Sequence, residues 1–380
     1  MRKSRFGEGE WMPATVSIAG LLILFTTVWL GSGGRSRQDI SGEQPQAKNR
    51  HEVATGPRLI SGTVLGSVVA ANGQLFWMDN RNGEHSIYGY DPDTQKEFLV
   101  SAGYNGALTS NGKLVTWLLA PGEDYKLKVQ RYDPATRQQE TIAFIQVPEF
   151  YGKSPEALPM FAADTNIVYY VGLYPNEGLH AIDLATGDDR IIAKEGVDTQ
   201  NRGPVAGDGI LVWPEVSYYP PGPGRFKLPH AKLHALQADG TEVILADEDG
   251  CVEGSDVSGS KVVWTLDCQS ANTPVHLTDL QSGQTKTLTP NVGGYDGTDN
   301  PLISGNLVAW AGTPEAPGAT QWSVVTYDIT SEVKTTLLTS DKDLYVRAIV
   351  DQNTIAYLAC CALDPDLENQ HLELYMISFK

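Results

Sequence analysis

The chain has 380 residues, 41% of them hydrophobic, which is enough to build a large buried core. Its 46 acidic residues outnumber 28 basic ones, and the net charge of −18 argues against a nucleic-acid-binding protein, which needs clustered Lys and Arg. The 38 glycines and 22 prolines favour frequent turns and few long helices.

The N-terminal segment predicts a membrane anchor. Three basic residues within the first five precede an uncharged stretch, 13–31, which is just long enough to span a bilayer as a helix. The basic residues favour a cytoplasmic position for 1–12 and place the rest of the chain outside the cytoplasm. No A-x-A cleavage site follows, so we predict a single-pass signal anchor, with a cleaved signal peptide as the alternative. Residues 32–55 are rich in Gly, Ser, Gln and charge, as is typical of a flexible tether.

One strand pattern recurs through 56–380. A turn of small residues precedes a short apolar strand that ends in an aromatic residue, as in N-G-Q-L-F-W (72–77) and D-G-I-L-V-W (208–213). Successive closing aromatics lie 40, 53, 43, 51, 46 and 47 residues apart, close to the ~40 to 50 residues of a four-stranded propeller blade. The seven closing aromatics are Trp77, Trp117, Tyr170, Trp213, Trp264, Trp310 and Tyr357.

A second strand follows in each copy and ends on a polar turn, as in I-Y-G-Y-D-P-D-T (87–94) and V-H-L-T-D-L-Q-S-G (275–283). The last copy stops after a third strand at 372–380, whereas 58–61 resembles the fourth strands of other copies. We therefore predict an all-β, seven-bladed β-propeller closed by pairing of the N-terminal strand with the last blade. A β-sandwich or several small β domains are the alternatives.

These two strand patterns resemble the TolB-like propeller repeat, which combines a D-G-x-x-(V/I)-x-(W/F) strand with an (I/L)-Y-x-x-D-(L/P)-x-(T/S)-G strand. The resemblance covers about residues 58–380 and implies a propeller fold. This chain has N-G or S-G where many members have P-D-G, which places it in the broad class sharing the repeat rather than beside TolB itself.

The connections between strands differ in length according to the face of the propeller on which they fall. First-to-second and third-to-fourth strand turns are tight, and they share one face, here called the turn face. Second-to-third connections and blade-to-blade connections are long, and they share the other face, here called the loop face. Because binding residues concentrate on loops held by a rigid scaffold, we expect the ligand site on the loop face.

Two predicted loops of that face combine carboxylates with aromatic rings, P-E-F-Y-G (148–152) and P-E-V-S-Y-Y-P-P-G (214–222). Exposed aromatic rings offer flat platforms for sugars or peptides, although they can equally serve to pin loops down. The predicted ligand-binding residues are Glu149, Phe150, Tyr151, Glu215, Tyr218, Tyr219 and Arg225.

Acidic residues also lie on the predicted loop face, and we interpret them as a solvated rim. Residues 247–249 belong to a predicted loop spanning 247–254, and they do not match the calcium-binding loop pattern. His180, His234 and His276 share one register in successive copies, which favours packing or a stacked register over a metal site. We predict neither a metal nor another cofactor.

The four cysteines fall at loop-face ends of strands. Cys251 precedes the first strand of the fifth copy and Cys268 follows its second, so we predict a disulfide between them outside the cytoplasm. Cys360 and Cys361 are adjacent, and their oxidation state stays open because four cysteines allow three pairings.

No G-x-S-x-G, H-E-x-x-H or Walker motif is present. We therefore expect a binding or scaffold module for an extracytoplasmic protein, peptide or polysaccharide, rather than an enzyme. A carbohydrate-active propeller enzyme, either a polysaccharide lyase or a glycosidase using loop-face carboxylates, is the alternative. A propeller that only mediates assembly of an envelope complex is a third.

Overall fold

The computed structural model describes residues 53–81, 83, 85–103, 105–120, 124–148, 158–172, 177–194, 203–217, 229–250, 252–266, 274–289, 301–312, 321–360 and 372–380. Regular structure in these ranges consists of β-strands, as predicted. None of these residues belongs to a helix with the length and apolarity needed to cross a membrane. The predicted anchor at 13–31 lies outside the described residues.

Five sheets of the described chain have four antiparallel strands in chain order. Sheet 2 contains β5 (Asn105–Ser110), β6 (Val115–Leu119), β7 (Lys126–Asp133) and β8 (Gln138–Gln146). Sheet 3 contains β9 (Phe161–Ala163), β10 (Ile167–Gly172), β11 (Gly178–Asp183) and β12 (Asp189–Ala193). Sheet 4 contains β13 (Val205–Gly207), β14 (Ile210–Ser217), β15 (His230–Leu236) and β16 (Glu242–Asp249). Sheet 5 contains β17 (Val252–Ser258), β18 (Lys261–Leu266), β19 (Val275–Asp279) and β20 (Gln284–Thr289). Sheet 6 contains β21 (Leu302–Ser304), β22 (Leu307–Gly312), β23 (Trp322–Asp328) and β24 (Val333–Ser340).

The remaining sheet, here called sheet 1, has seven strands and contains both ends of the described chain. Its opening half contains β2 (Gln74–Asp79), β3 (Ser86–Asp91) and β4 (Lys96–Ser101). Its closing half contains β25 (Asp343–Asp351), β26 (Thr354–Cys360) and β27 (Leu372–Phe379). The long strand β1 (Val53–Ala71) lies between the halves and pairs with β27 on one side and β2 on the other.

Strand β1 changes partner at Val64, which is opposite Leu372 of β27 and also opposite Asp79 of β2. Before this point, Arg58 is opposite Met376 and Leu59 is opposite Tyr375, so this segment occupies the position of a fourth strand beside β27. The β1–β27 register shifts four times, whereas the β1–β2 register shifts once.

A buried carboxylate marks the place where β1 changes partner. The Asp79 side chain accepts hydrogen bonds from Ser61 Oγ at 3.0 Å and Thr63 Oγ1 at 2.7 Å, both on β1. The Arg81 guanidinium approaches it at 2.6 Å and also pairs with Glu97. Burial alone would raise the Asp79 pKa, but the hydrogen bonds from Arg81 and its other neighbours lower it to about 2. This network joins the crossing strand to the opening half of the sheet.

The inner strands are the first strand of each four-stranded sheet together with β1 and β25 of the seven-stranded sheet, and each contacts the next. These contacts run from β1 to β5, β9, β13, β17, β21 and β25 in turn, and β25 also contacts β1. The apolar core lies between neighbouring sheets: Val212 and Leu233 of sheet 4 pack with Val262 and Trp264 of sheet 5. All-β architecture with face-to-face four-stranded antiparallel sheets is consistent with a β-propeller.

The repeated Asp of the second pattern has a local structural role. Asp183 Oδ1 accepts hydrogen bonds from the backbone N–H groups of Ala185 at 2.8 Å and Thr186 at 3.2 Å. Asp91 makes the same contacts to its own turn, with Asp93 and Thr94 as donors. Because an Asp side chain readily accepts a hydrogen bond from the backbone N–H two residues later, this residue stabilises the tight hairpin between the third and fourth strands.

Neighbouring sheets are also joined through their tight turns. The N–H of Gly209, at a φ of 80°, donates to Asp164 Oδ2 at 2.7 Å, so sheet 4 is bonded to the turn of sheet 3. In the same way Gly259 N donates to Asp208 Oδ2 at 2.9 Å, and Gly305 N donates to Ser258 Oγ at 3.0 Å. The turn face is therefore linked from sheet to sheet by side-chain acceptors.

Candidate functional site

Of the predicted ligand-binding residues, the structure describes Glu215, which lies near the loop-face end of β14 and is partly exposed. The other six lie outside the described residues and stay predictions: Glu149, Phe150, Tyr151, Tyr218, Tyr219 and Arg225. The predicted disulfide partners Cys251 and Cys268 also lie outside. Cys360 is buried at the end of β26.

Sheet 4 carries a row of polar side chains toward the loop face. Glu215 of β14 is opposite Lys232 of β15, and Lys232 is opposite Asp247 of β16. One step nearer the strand ends, His230 of β15 is opposite Asp249 of β16. Because side chains on one face of a strand repeat every two residues, this row gathers on one face of the sheet.

His230 bridges two carboxylates in this row. Its Nε2 lies 2.6 Å from Asp247 Oδ1 and its Nδ1 lies 3.0 Å from Asp249 Oδ1. These hydrogen bonds, first that of Asp249 and then that of Asp247, raise the pKa of His230. The His230 hydrogen bond in turn lowers the Asp247 pKa, with Lys232 Nζ adding positive charge at 3.7 Å. In this group, here called the His230 cluster, the two carboxylates favour the protonated imidazole.

The prediction that 247–254 is a loop is wrong. Strand β16 extends to Asp249 and β17 begins at Val252, so the acidic residues of the predicted rim lie on a strand. Sequence reasoning also missed His230 as their partner. The alternation in H-A-K-L-H (230–234) beside A-D-E-D (246–249) was the signal that could have found it.

The three histidines in a shared register stack on the aromatic residue opposite them. Trp213 and His234 have ring centroids 4.8 Å apart and planes inclined by 8°. Trp264 stacks on His276 at 4.2 Å, and Tyr170 stacks on His180 at 4.8 Å. Each of these stacks joins two neighbouring strands of one sheet, an arrangement that the shared register alone did not predict.

In two of these stacks, carboxylates contact the histidine ring. His234 lies between Glu242, whose Oε1 is 2.6 Å from Nδ1, and Glu215, whose Oε2 is 3.2 Å from Nε2. In sheet 3, Asp189 is 3.1 Å from His180 Nδ1 and accepts a hydrogen bond from Tyr170 at 2.6 Å. Around the described residues, no group of three or more His, Cys, Asp or Glu side chains is arranged to hold a metal ion. Through His234, Glu215 contacts the stack of His234 on Trp213.

A polar cavity of about 360 Å³ lies between the inner strands, toward their turn-face ends. Strands β1, β5, β13, β17, β21 and β25 supply its walls. Aliphatic and hydroxyl side chains both line the cavity, and its charged residues are Arg347, Asp208 and Asp256. This cavity was not predicted from the sequence, because the inner strands of such a fold differ in sequence and meet only in the assembled structure.

Asp256 in the cavity wall is another carboxylate with a perturbed pKa. Its oxygens accept hydrogen bonds from the N–H groups of Val257 and of Ile303, each at 2.9 Å, and Ile303 belongs to sheet 6. Burial raises the pKa of Asp256 to about 7, and the two backbone hydrogen bonds offset only part of this effect.

No protein-family model and no curated protein sequence matches the chain. Solved structures are similar in fold. The β-propeller domain of the Trilobed protease from Pyrococcus furiosus has a TM-score of 0.54 at 10% identity, with 84% of this chain and 97% of that chain covered. The RRP9 WD40 repeats give 0.55 at 8% identity, with 87% and 99% covered. Oligogalacturonate lyase from Vibrio parahaemolyticus gives 0.52 at 10% identity, with 87% and 98% covered. At these identities the likeness shows the fold alone, and the predicted β-propeller is confirmed.

Proposed function

We propose that this chain is a seven-bladed β-propeller, tethered to a membrane outside the cytoplasm, that binds a protein, peptide or polysaccharide through its loop face. The seven inner strands and the two halves of the seven-stranded sheet support the blade count. The pairing of β1 with β27 supports closure of the ring, because it joins the N-terminal segment to the last strand.

The difference between the two faces is the observation that carries the binding function. Turn-face connections are short, as at 72–73, 208–209 and 305–306, and side chains in such turns, Asp208 and Asp164 among them, bond the neighbouring sheet. Many loop-face connections are longer, as at 147–160 and 218–229, whereas those at 250–251 and 341–342 have two residues. A scaffold that holds long loops together on one face and keeps the other face tight is suited to recognition by the looped face.

The described part of the loop face also carries charge suited to recognition. In sheet 4, Glu215, Asp247 and Asp249 supply carboxylates, with His230 and Lys232 between them. Hydrogen-bonding side chains on a strand are held more precisely than those on a loop, and they can orient a polar ligand. We infer that this row and the aromatic residues predicted at 218–219 act on the same ligand.

The test uses the full chain in detergent, screened against a glycan array and against purified envelope proteins. We expect a ligand that binds the wild type to lose at least tenfold in affinity in the double variant Tyr218→Ala/Tyr219→Ala. Lys113→Ala, which alters an exposed turn-face side chain, is the matched control and should bind as the wild type does. A ligand lost on Lys113→Ala and retained by the double variant would contradict the proposal.

The anchor has a separate test. After membranes are washed with alkaline carbonate, we expect the chain to remain with the lipid. A protease added to the outer surface of intact spheroplasts should degrade the propeller. Release by carbonate, or protection from the external protease, would contradict a tethered extracytoplasmic domain.

A further inference from the structure

The cavity between the inner strands carries charges of both signs on different walls. Arg347 comes from β25, whereas Asp256 comes from β17, and β21 runs between these two strands. Asp208 follows β13 and also borders the cavity. A volume of about 360 Å³ is in the range of small-molecule sites. The walls therefore offer a small ligand two kinds of ionic partner.

Arg347 lies at an irregularity in strand β25. The pairing of β25 with β26 shifts register between Val346 and Ala348, so Arg347 is the extra residue of a bulge. Bulges redirect a side chain and recur beside functional sites. Its guanidinium carbon lies 5.2 Å from the centroid of the Tyr345 ring. The planar guanidinium is suited to bind a carboxylate through two parallel hydrogen bonds.

Asp256 supplies the complementary wall. Its hydrogen bonds come from two neutral backbone N–H groups, so its burial is offset by dipoles and not by a close cation among its hydrogen-bond partners. A positive group entering the cavity would favour the ionised carboxylate and draw its pKa down from about 7. Binding of such a group would therefore release a proton.

We propose that this cavity binds a small zwitterion of the amino-acid class, with its carboxylate at Arg347 and its ammonium group at Asp256. A lone anion would face the two aspartates, and a lone cation would face the arginine, so either would leave one wall mismatched. The hydroxyl groups of Ser110, Ser258 and Ser304 can bond the remaining polar atoms. The site is at the turn-face ends of the inner strands and does not depend on a loop-face ligand.

The experiment measures binding of glycine, β-alanine and γ-aminobutyrate to the full chain by calorimetry and by the shift in Tm. We expect at least one of them to bind the wild type and to lose at least tenfold in affinity in Arg347→Gln. Arg190→Gln, which changes an exposed arginine of β12, is the matched control and should bind as the wild type does. Acetate and methylammonium, each with a single charge, should bind more weakly than the zwitterion.

The role of Asp256 has its own readout. Asp256→Asn should also weaken binding at least tenfold, and wild-type affinity should rise between about pH 6 and about pH 8 because Asp256 must ionise. The pH profile needs no variant, so it stands if Asp256→Asn fails to fold. The proposal is overturned if no zwitterion binds, if Arg347→Gln binds equally well, or if the affinity does not change with pH.

Discussion

Two aspartates of this propeller are held in opposite ways. Asp79, where β1 changes partner, is fully buried, yet its pKa is lowered to about 2 because Arg81 and two hydroxyl donors surround it. Asp256, between sheets 5 and 6, has only backbone donors among its hydrogen-bond partners, and burial raises its pKa to about 7. Burial alone does not set the charge of a carboxylate; the charge of its hydrogen-bond donors does.

The two aspartates also join different parts of the fold. The Asp79 network fastens the crossing strand to the opening half of the sheet, where chain ends meet, and a permanent ion pair holds at any physiological pH. The Asp256 contact fastens one ordinary pair of sheets, and its charge can change near neutrality. The first is therefore suited to permanent closure, and the second to a site that responds to what enters the cavity.

The largest expected effect comes from removing the cation at the first site. Arg81→Met leaves the Asp79 carboxylate buried without its guanidinium, which should lower the free energy of unfolding by about 3 to 5 kcal/mol. Urea denaturation followed by tryptophan fluorescence measures this loss. Arg190→Met is the control and should stay within about 0.5 kcal/mol of the wild type. Equal stability of the two variants would show that Asp79 does not need its cation.

A smaller effect is expected from pH at the second site. Because the folded pKa of Asp256 is raised above its unfolded value of 3.8, folding takes up a proton between these values. The contribution of Asp256 to stability is therefore fully present below about 3.8 and is lost as pH rises through about 7, by about 2 kcal/mol after allowance for partial exposure. Denaturation curves of wild type and Asp256→Asn from about pH 4 to about pH 8 measure it. An Asn variant with the same pH slope would remove Asp256 as the cause.

The stability that Asp79 contributes depends on pH in the opposite direction to that of Asp256. Its folded pKa of about 2 lies below the unfolded value of 3.8, so its contribution is present above 3.8 and is lost as pH falls through about 2. The two aspartates are thus separable by the pH range in which each acts.

The smallest expected effect concerns the His230 cluster, where a surface histidine lies between two carboxylates. We expect its NMR titration to occur above the usual histidine pKa, because Asp249 and Asp247 stabilise the protonated ring. Asp249→Asn should move the titration toward lower pH, while Asp239→Asn, at an exposed turn of the same sheet, should leave it unchanged. A His230 titration that is the same in all three proteins would show that the cluster does not form in solution.

The sequence patterns predicted the strands and turns of this fold well, for local reasons. Turn residues such as Asp183 bond backbone groups two and three residues away. Closing aromatics such as Trp213 recur at a regular spacing, so both kinds of residue can be recognised in the sequence. The prediction of a loop at 247–254 was wrong because the ends of β16 and β17 depend on pairing with β15 and β18. The His230 cluster was missed for the same reason, since its members come from two paired strands.

By itself the sequence determined an all-β chain of repeated strands, because alternation, turn residues and repeat length are short-range properties. Only the tertiary structure decided that Asp79 would be ionised and that Asp256 would titrate near neutral pH. The charge of a buried group depends on which donors surround it, and here those donors include Ser61 on a crossing strand and Ile303 in a neighbouring sheet. Such neighbours are brought together only when the sheets assemble.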